Sequence, residues 1–286
     1  MMKDQKIKVG IVRGGSLKHY ASSLEKGGHI ISHIFENLSD KYKVVDILID
    51  KNGVWHLNGI PIDPQNLVHK IDVIWDISHS SFSNIIENFS IPNISNSPFL
   101  RTLENNSDML RRHIKDIGLN MPRSIISPKN AREVFEKFAA PWIVKINNEI
   151  KLVKTFDELT ETLKNEDDTV VEEFISGKVA SIHSVPFFRN QDFYTFPIGN
   201  SFGSFTTSEK EKLSVLAKDL HYHIGANHYL KSDFVLNPRG KVYLLSIESI
   251  PDFHKDSHLS QVSESVGVKA HHIIDHIIGK ALNKRI

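Results

Sequence analysis

One stretch near the end of the chain constrains the fold most. From Tyr229 to Pro251 the sequence consists of two apolar β-type segments joined by Asn-Pro-Arg-Gly, a pattern that predicts an antiparallel hairpin with a tight turn. Side chains of one parity share a face of such a hairpin, so Asp233, Ser246 and Glu248 should lie together. Their oxygens suit Mg²⁺ and the phosphates that it carries, although an ordinary hairpin with its acids in water explains the same pattern.

The composition excludes several classes of function. The 286 residues include 35 Lys and Arg against 34 Asp and Glu, which gives no electrostatic argument for nucleic acid or for an anionic membrane. The chain has no cysteine, so disulfides, thiol nucleophiles and thiolate zinc sites are excluded. No segment is apolar and long enough for a signal peptide or a membrane span. We therefore expect a cytoplasmic, globular protein that binds neither nucleic acid nor membranes.

The first hundred residues alternate between strand and helix signals. An apolar run at 8–13 leads into Gly14-Gly15-Ser16, a helix is predicted from Tyr20 to about Leu38, and two more strands are predicted at 42–50 and 71–77. This alternation predicts a doubly wound lobe with a parallel sheet.

Ligands of such sheets bind at the carboxyl ends of the strands. Ser16, Ser23 and His79 follow the predicted strands and should lie near one crevice. A glycine turn before a helix also suits anion binding. A tight turn explains the glycines equally well, and a single histidine after a strand more often makes a structural hydrogen bond.

The middle of the chain contains an unusual lysine. After a predicted helix capped by Ser107-Asp108 and ending at Gly118, the run Pro141–Ile146 is a strongly apolar strand that carries Lys145. A charge in such a strand needs a partner or water. A phosphate would be a natural partner, and a lysine that extends its ammonium group out of an edge strand is the alternative.

The last third combines strands with two predicted helices. A strand at 170–177 ends at a glycine turn, and the stretch 208–224 is an amphipathic helix. The hairpin follows, and then a final helix whose core-facing positions are Ile273, Ile274, Ile277 and Ile278.

The order of these elements resembles the ATP-grasp superfamily, and within it the D-alanine–D-alanine ligases. The resemblance covers nearly the whole chain and is carried by Gly14-Gly15-Ser16 with Ser23, Ile91-Pro92, Val144-Lys145, Val171 to Gly177, and the stretch from Leu213 through Leu245 to Pro251. It implies an α/β and α+β fold that begins with an N-terminal Rossmann-like (pre-ATP-grasp) lobe at 1–98. A two-lobed ATP-grasp fold follows. Its small lobe is at 99–177, and its large lobe, which carries the metal and phosphate face, is at 178–286.

The resemblance also implies a reaction. Such enzymes phosphorylate a carboxylate with ATP, and an amine then attacks the acyl phosphate to form an amide bond, so that cations must neutralise the transferring phosphoryl group. The implied cofactors are ATP and Mg²⁺, with Mn²⁺ as an alternative ion. The implied partners are small carboxylate and amine substrates, such as amino acids, and a second copy of the chain in a homodimer.

Site residues are implied position by position. Lys145 matches the lysine that contacts the ATP phosphates, and the stretch that holds adenine corresponds to Glu172, Glu173, Phe174 and Ile175. Lys231 stands where the family has an arginine that stabilises the transferred phosphate. The catalytic set is completed by His79 and Ser23, and the metal ligands correspond to Asp233, Ser246 and Glu248.

Several positions depart from the family pattern. Ser246 and Glu248 stand where the family has a glutamate and an asparagine, so the acid has moved two residues along one strand face. The segment 147–154 stands in place of the phosphate-covering loop and contains no glycine. The departures at single positions are Val179 for the ribose-binding acid, Met109 for a phosphate lysine, and His19 for the glutamate that holds the amino group of the first substrate.

Two hypotheses follow from these matches and departures. The first is an ATP-dependent carboxylate–amine ligase with altered substrates, which the carboxylates retained on the metal face favour. The second is a degenerate ATP-grasp protein that binds a nucleotide or a partner without catalysis, which the lost phosphate loop favours. A Rossmann-type oxidoreductase is disfavoured, because the first turn lacks a full G-x-G-x-x-G motif.

Overall fold

Three β-sheets follow one another along the chain. The computed structural model of the protein describes residues 6–15, 19–78, 80–146, 149–164, 169–198 and 204–283, with the backbone alone at 80, 81, 83 and 84. None of the described helices has the length and apolar character needed to cross a membrane.

The first sheet confirms the predicted doubly wound lobe. Its strands are β1 (Ile7–Gly14), β2 (Tyr42–Ile49), β3 (Trp55–Leu57), β4 (Ile60–Pro61), β5 (Val73–Asp76) and β6 (Asn93–Ile94). They lie in the order β4-β3-β2-β1-β5-β6, and β2, β1, β5 and β6 are parallel. Helix α1 (Tyr20–Asn37) follows β1, and helix α2 (Ser80–Glu87) follows β5.

The turn after β1 requires glycine. Gly14 has a φ of +94°, and a Cβ atom there would lie 2.1 Å from the backbone oxygen of Ile49. Only a residue without a side chain permits this approach of β1 to the end of β2. The turn thereby places the start of α1 at the carboxyl edge of the parallel strands.

The second sheet is antiparallel and lies in the middle of the chain. Helices α3 (Pro98–Asn105) and α4 (Ser107–His113) precede it. Its strands are β7 (Ser124–Ile126), β8 (Trp142–Ile146), β9 (Glu149–Val153) and β10 (Thr169–Glu173), in the order β7-β10-β8-β9. Helix α5 (Ala131–Lys137) lies between β7 and β8 in the chain, and α6 (Phe156–Leu163) lies between β9 and β10. One face packs against α5 and α6 through Trp142, Val144 and Val171. The opposite face carries Lys145.

The middle of the chain departs from the sequence-based predictions at four places. Helix α3 was not predicted, although Ser97 caps it with Pro98 in its first turn. Helix α4 is capped by Asn106 and not by Ser107-Asp108. Residues 149–153 form β9 and not a loop, because they pair with β8. Finally, β10 ends at Glu173, so Phe174 and Ile175 lie beyond the strand.

The third sheet contains the hairpin predicted from the sequence. Its elements are β11 (Lys178–Pro186), β12 (Phe193–Thr195), α7 (Thr207–His223), β13 (Leu230–Leu236) and β14 (Val242–Glu248), with the strand order β12-β11-β13-β14. Helix α7 confirms the predicted amphipathic helix and buries Leu213, Ala217 and Leu220. The turn between β13 and β14 closes with a hydrogen bond from the Gly240 amide to the Asn237 carbonyl.

The chain ends by returning to the first sheet. After α8 (His258–Glu264), helix α9 (Ala270–Asn283) buries the four predicted isoleucines against strands and helix α1 of the first lobe. Domain boundaries at residues 98 and 177 stay a prediction.

Candidate active site between the first lobe and the terminal hairpin

The hairpin brings a set of charged side chains onto one face. Lys231 of β13 lies opposite Glu248 of β14, and Asp233 lies opposite Ser246. The shared face of Asp233, Ser246 and Glu248 is therefore confirmed. The register shifts directly after Asp233, since Phe234 already pairs with Leu244. This bulge bends the strand beside the charged residues, as bulges near functional sites commonly do.

Lys231 lies between the two carboxylates. Its Nζ atom is 3.2 Å from Asp233 Oδ2 and 2.9 Å from Glu248 Oε1. The hydroxyl of Ser246 donates to Asp233 Oδ2 at 2.8 Å, and the hydroxyl of Ser181 on β11 donates to Oδ1 at 2.5 Å. Every oxygen of Asp233 thus already accepts a hydrogen bond from a neighbouring strand.

The charges on this face support one another. Burial opposes the charged form of Lys231, but Asp233 and Glu248 together raise the pKa of its ammonium group. Burial likewise opposes the charged form of Glu248, but Lys231 and Lys26 lower the pKa of its carboxyl group. Mutual compensation of this kind keeps a lysine and a carboxylate ionised inside a partly buried site.

A cleft joins the hairpin to the first lobe. It has a volume of about 130 Å³ and is lined by His19, Ser23 and Lys26 of the first lobe, by Arg101 and Glu104 of α3, and by Ile250. Lys26 Nζ lies 3.5 Å from Glu248 Oε2, so α1 contacts the end of β14 directly.

Helix α3 supplies a buried ion pair beside this cleft. Arg101 Nη2 lies 2.7 Å from Asp76 Oδ2, and both side chains are at most 5 % exposed. Arg101 also donates to the carbonyl of Ser78 at 2.6 Å. Glu104 accepts a hydrogen bond from the amide of Ser249, and burial raises the pKa of its carboxyl group. These contacts tie α3 to both the first sheet and the hairpin.

Ser23 occupies the crevice as predicted, but its hydroxyl is committed to the backbone. It accepts from the Gly14 amide at 2.9 Å and donates to the Ile77 carbonyl at 2.8 Å. Because its one proton is donated to Ile77, the hydroxyl holds the glycine turn in place. The predicted catalytic role of Ser23 stays a prediction. Ser16 and His79, the other predicted residues of this crevice, lie outside the described residues.

The second sheet carries the predicted nucleotide-binding residues. Lys145 Nζ lies 2.8 Å from Glu172 Oε2, and Glu172 is 7 % exposed. Strand alternation places Ile143, Ile150 and Leu152 on the same face. That face is therefore apolar around one lysine–glutamate pair.

The four residues predicted to bind adenine do not lie together on one face of the sheet. Glu173 points to the opposite face from Glu172, where Arg123 holds both of its oxygens at 2.8 and 2.9 Å. Phe174 and Ile175 follow the end of the strand, and Phe174 is exposed. Of the four, only Glu172 contacts Lys145.

Some residues of the site were not singled out from the sequence. They are Lys26, Ser181, Arg101 and Glu104. Lys26 follows Ser23 by three residues, so both lie on one face of α1, and that spacing was a readable signal. The contacts of Ser181, Arg101 and Glu104 depend on pairing between distant segments and had no local signal.

The oxygen donors fit Mg²⁺ that is bound with a nucleotide. Among the residues that the structure describes, no group of three His, Cys, Asp or Glu is placed to hold a metal ion. Mg²⁺ commonly uses only one or two protein carboxylates, together with substrate phosphates and water. Asp233 and Glu248 meet that requirement, provided that Lys231 moves away from at least one of them.

Comparisons with known proteins agree with this architecture. No protein-family model matches the chain. D-alanine–D-alanine ligase B of Clostridium perfringens is 24% identical over 317 residues, covering 98% of this chain and 100% of that protein. The D-alanine–D-alanine ligase of Geobacter sulfurreducens is 23% identical over 314 residues, covering 95% and 93%.

Solved structures extend the comparison to three dimensions. A D-Ala:D-Ser ligase from Enterococcus faecalis superposes with a TM-score of 0.75 at 16% identity, covering 97% of this chain and 100% of that chain. The D-alanine–D-alanine ligase from Bacillus anthracis complexed with ATP gives a TM-score of 0.75 at 18% identity, covering 98% of both chains. Both likenesses run through all three sheets and confirm the fold predicted from the sequence. The chain therefore has the same fold as these ligases, which is the ATP-grasp fold predicted from its sequence.

Proposed function

We propose that the protein is an ATP-dependent ligase that joins a carboxylate to an amine through an acyl phosphate. The observation that carries the proposal is the charged face of the hairpin. There two lysines and two carboxylates meet, with Lys231 between Asp233 and Glu248 and with Lys26 on the other oxygen of Glu248. Such a face can hold a phosphoryl group and its magnesium ion while charge develops on the group.

The cleft beside this face suits the carboxylate substrate. Lys26 and Arg101 line it, so a carboxylate would be bound with its oxygen near the hairpin. In the first step that oxygen attacks the γ-phosphorus of ATP, and the bond between the γ-phosphorus and the bridging oxygen breaks as ADP leaves. In the second step the amine attacks the acyl carbon, phosphate leaves, and the nitrogen loses a proton. Lys231 and Lys26 would neutralise the oxygens in both steps.

The second sheet is the proposed nucleotide surface. Its apolar face around Lys145 suits the adenine ring, and Lys145 would exchange Glu172 for a phosphate oxygen. Mg²⁺ would be held by Asp233 and Glu248 and would neutralise phosphate charge. We propose substrates other than two D-alanines, because His19 lines the cleft where the family has the glutamate that holds an amino group.

A second candidate function is nucleotide or partner binding without catalysis. Strands β8 and β9 pair from Ile146 and Glu149 onward, so only residues 147 and 148 connect them. A connection of two residues is too short to cover the phosphates of a bound nucleotide. Lost phosphate contacts of this kind are each worth roughly 1.5–3 kcal/mol, which favours weak binding.

Thermal unfolding with nucleotide separates these candidates from an unrelated function. Mg-ATP at millimolar concentration should raise the midpoint of unfolding, and EDTA should remove most of the increase. Lys145→Ala should abolish the shift, whereas Lys151→Ala, an exposed lysine on the neighbouring strand, should keep it. An unchanged midpoint in the wild type would overturn both nucleotide-based proposals.

Turnover then decides between ligase and binder. ADP release should depend on both a carboxylate and an amine. The compounds tested are D-alanine, other amino acids and carboxylates without an amino group. Mass spectrometry identifies the product. Asp233→Asn should abolish the release, and Asp256→Asn, which alters an exposed carboxylate, should not. Nucleotide binding without substrate-dependent ADP release would favour the binder.

A further inference from the structure

Two buried rings and one half-buried ring form a hydrogen-bonded chain beside the hairpin. His183 of β11 is linked through Nδ1 to the hydroxyl of Tyr229 at 2.7 Å and through Nε2 to Nδ1 of His258 at 2.8 Å. His183 and Tyr229 are each 2 % exposed. The two histidine rings stack with centroids 5.0 Å apart. The proposed reaction makes no use of this group.

The chain of rings begins on the charged face itself. His183 is the cross-strand partner of Lys231, in the same way that Ser181 is the partner of Asp233. Cross-strand partners share a face. His258, the first residue of α8, is close enough for both charges to act on it: burial and Lys231 lower the pKa of its ring, and Asp233 raises it.

Each buried donor needs an acceptor, and this requirement sets the direction of the hydrogen bonds among the three rings. Within the described part of the chain, the Tyr229 hydroxyl forms its hydrogen bond with His183. A buried hydroxyl without an acceptor is costly, so Tyr229 donates to Nδ1 of His183. Burial, together with His258 and Lys231, lowers the pKa of His183 well below its ordinary value, so its ring is neutral.

A neutral ring has one proton, and this determines the rest of the chain. With Nδ1 accepting, His183 carries its proton on Nε2 and donates it to Nδ1 of His258. His258 must then carry its own proton on Nε2. That nitrogen is not among the buried unpaired atoms, and it makes no hydrogen bond within the described residues. The N–H group is therefore accessible to a ligand.

We propose that Tyr229 and His183 fix His258 as a neutral hydrogen-bond donor to an oxyanion, either a carboxylate or a phosphoryl oxygen, bound beside Lys231. The identity of the ligand rests on the proposed ligase function, whereas the proton positions do not. His258 would contact the ligand, and His183 and Tyr229 would act as positioning residues. A fixed donor selects an oxygen acceptor and disfavours an ammonium group at the same place.

Nitrogen-15 NMR of histidine-labelled protein tests the proton positions directly. His183→Gln and His258→Gln each remove one ring and assign its signals. At pH 7.5 both rings should be neutral with the proton on Nε2. Tyr229→Phe should remove the preference of both rings for the Nε2 proton position. Tyr222→Phe, at an exposed tyrosine, should keep it. A wild-type His258 with its proton on Nδ1, or a charged ring, would overturn the proposal.

The same spectra identify the source of the oxyanion. Inorganic phosphate and acetate are titrated separately, and a shift of the His258 Nε2 signal with one of them assigns the acceptor to that class. A shift with neither in wild-type protein overturns the ligand assignment. These measurements need no turnover, so they remain decisive if no ligase reaction is observed.

Kinetics provide a further readout in the active enzyme. His258→Leu should raise the KM for the substrate that carries the oxyanion by about tenfold, with a smaller change in kcat, and His258→Gln, which keeps an N–H donor, should recover part of the loss. His69→Gln, at an exposed histidine, is the control and should not change KM. An equal fall in kcat and in thermal stability in both His258 variants would indicate a purely structural role and refute the proposal.

Discussion

Lys26 of α1 and Glu248 of β14 are 222 residues apart in the chain, yet their side chains lie 3.5 Å apart. Glu248 uses one oxygen for Lys26 and the other for Lys231. The carboxylate therefore joins the first lobe to the hairpin at the point where both contribute a cation. A ligand that draws either lysine away also changes how the two parts are held together.

The first prediction concerns Lys26→Ala. Because the pair is 3.5 Å apart and partly exposed, the free energy of unfolding should fall by less than about 1 kcal/mol. Loss of a cation from the cleft should lower kcat/KM for ADP release by about tenfold or more. Glu25→Ala, on the exposed side of the same turn, should change neither quantity. A variant that loses stability and activity in parallel would contradict the proposed role of Lys26.

The second prediction adds a third carboxylate to the hairpin face. Ser246 already lies within hydrogen-bond distance of Asp233, so Ser246→Glu should place another oxygen ligand beside it. The Mg²⁺ concentration needed for half of the ATP-induced thermal shift should fall several-fold, since Mg²⁺ affinity increases with the number of anionic ligands. Ser204→Glu, which adds the same charge at an exposed position, is the control. An unchanged Mg²⁺ requirement would argue against a metal at this face.

The third prediction separates two neighbouring serines. Ser23→Ala removes the hydroxyl that links Gly14 to Ile77 and leaves two backbone groups unpaired, so the free energy of unfolding should fall by about 1–3 kcal/mol. Ser22→Ala, at an exposed position of the same helix, should have little effect. Urea denaturation of both variants makes the comparison. Equal stability of the two would show that the Ser23 hydroxyl does not hold the glycine turn.

The fourth prediction concerns pH. Burial lowers the pKa of His221 from 6.5 to about 4, and its Nδ1 is 2.8 Å from the Ser184 hydroxyl. The unfolded state takes up a proton at higher pH than the folded state does, so stability is lost as pH falls from 6.5 towards 4.

The measurement compares urea unfolding at pH 7.5 and pH 5.0. His221 should contribute about 2 kcal/mol to the loss between these values. His221→Gln should show a loss smaller by about that amount, and His69→Gln, at an exposed histidine, should behave like the wild type. An identical pH dependence of His221→Gln and the wild type would exclude His221 as a source of the acid sensitivity.

Elements with strong local patterns could be predicted from the sequence. Helix α7 has an apolar stripe with a helical period, α9 has its four isoleucines, and β13 and β14 have their turn residues. In each case the pattern lies within one segment and is independent of tertiary contacts. Strand β9 was missed because Ile150 and Leu152 are exposed, so that the strand depends on pairing with β8 and not on burial.

The site could be predicted only where its residues lie on one hairpin. Parity alone placed Asp233, Ser246 and Glu248 on a common face. It could not reveal that Lys231 bridges the acids or that Ser181 binds Asp233, because these contacts depend on side-chain length and on a third strand. The link between His183 and His258 joins segments 75 residues apart, and no local pattern specifies it.

Helix α9 has a consequence for how the chain is made. Its isoleucines complete the core beneath the first sheet, so β1 and α1 leave the ribosome long before the residues that cover them. We therefore expect the first lobe to stay partly open until α9 has been synthesised, although domains usually fold in the order of their synthesis. A ribosome stalled before α9 should therefore display an N-terminal lobe that proteases cleave readily.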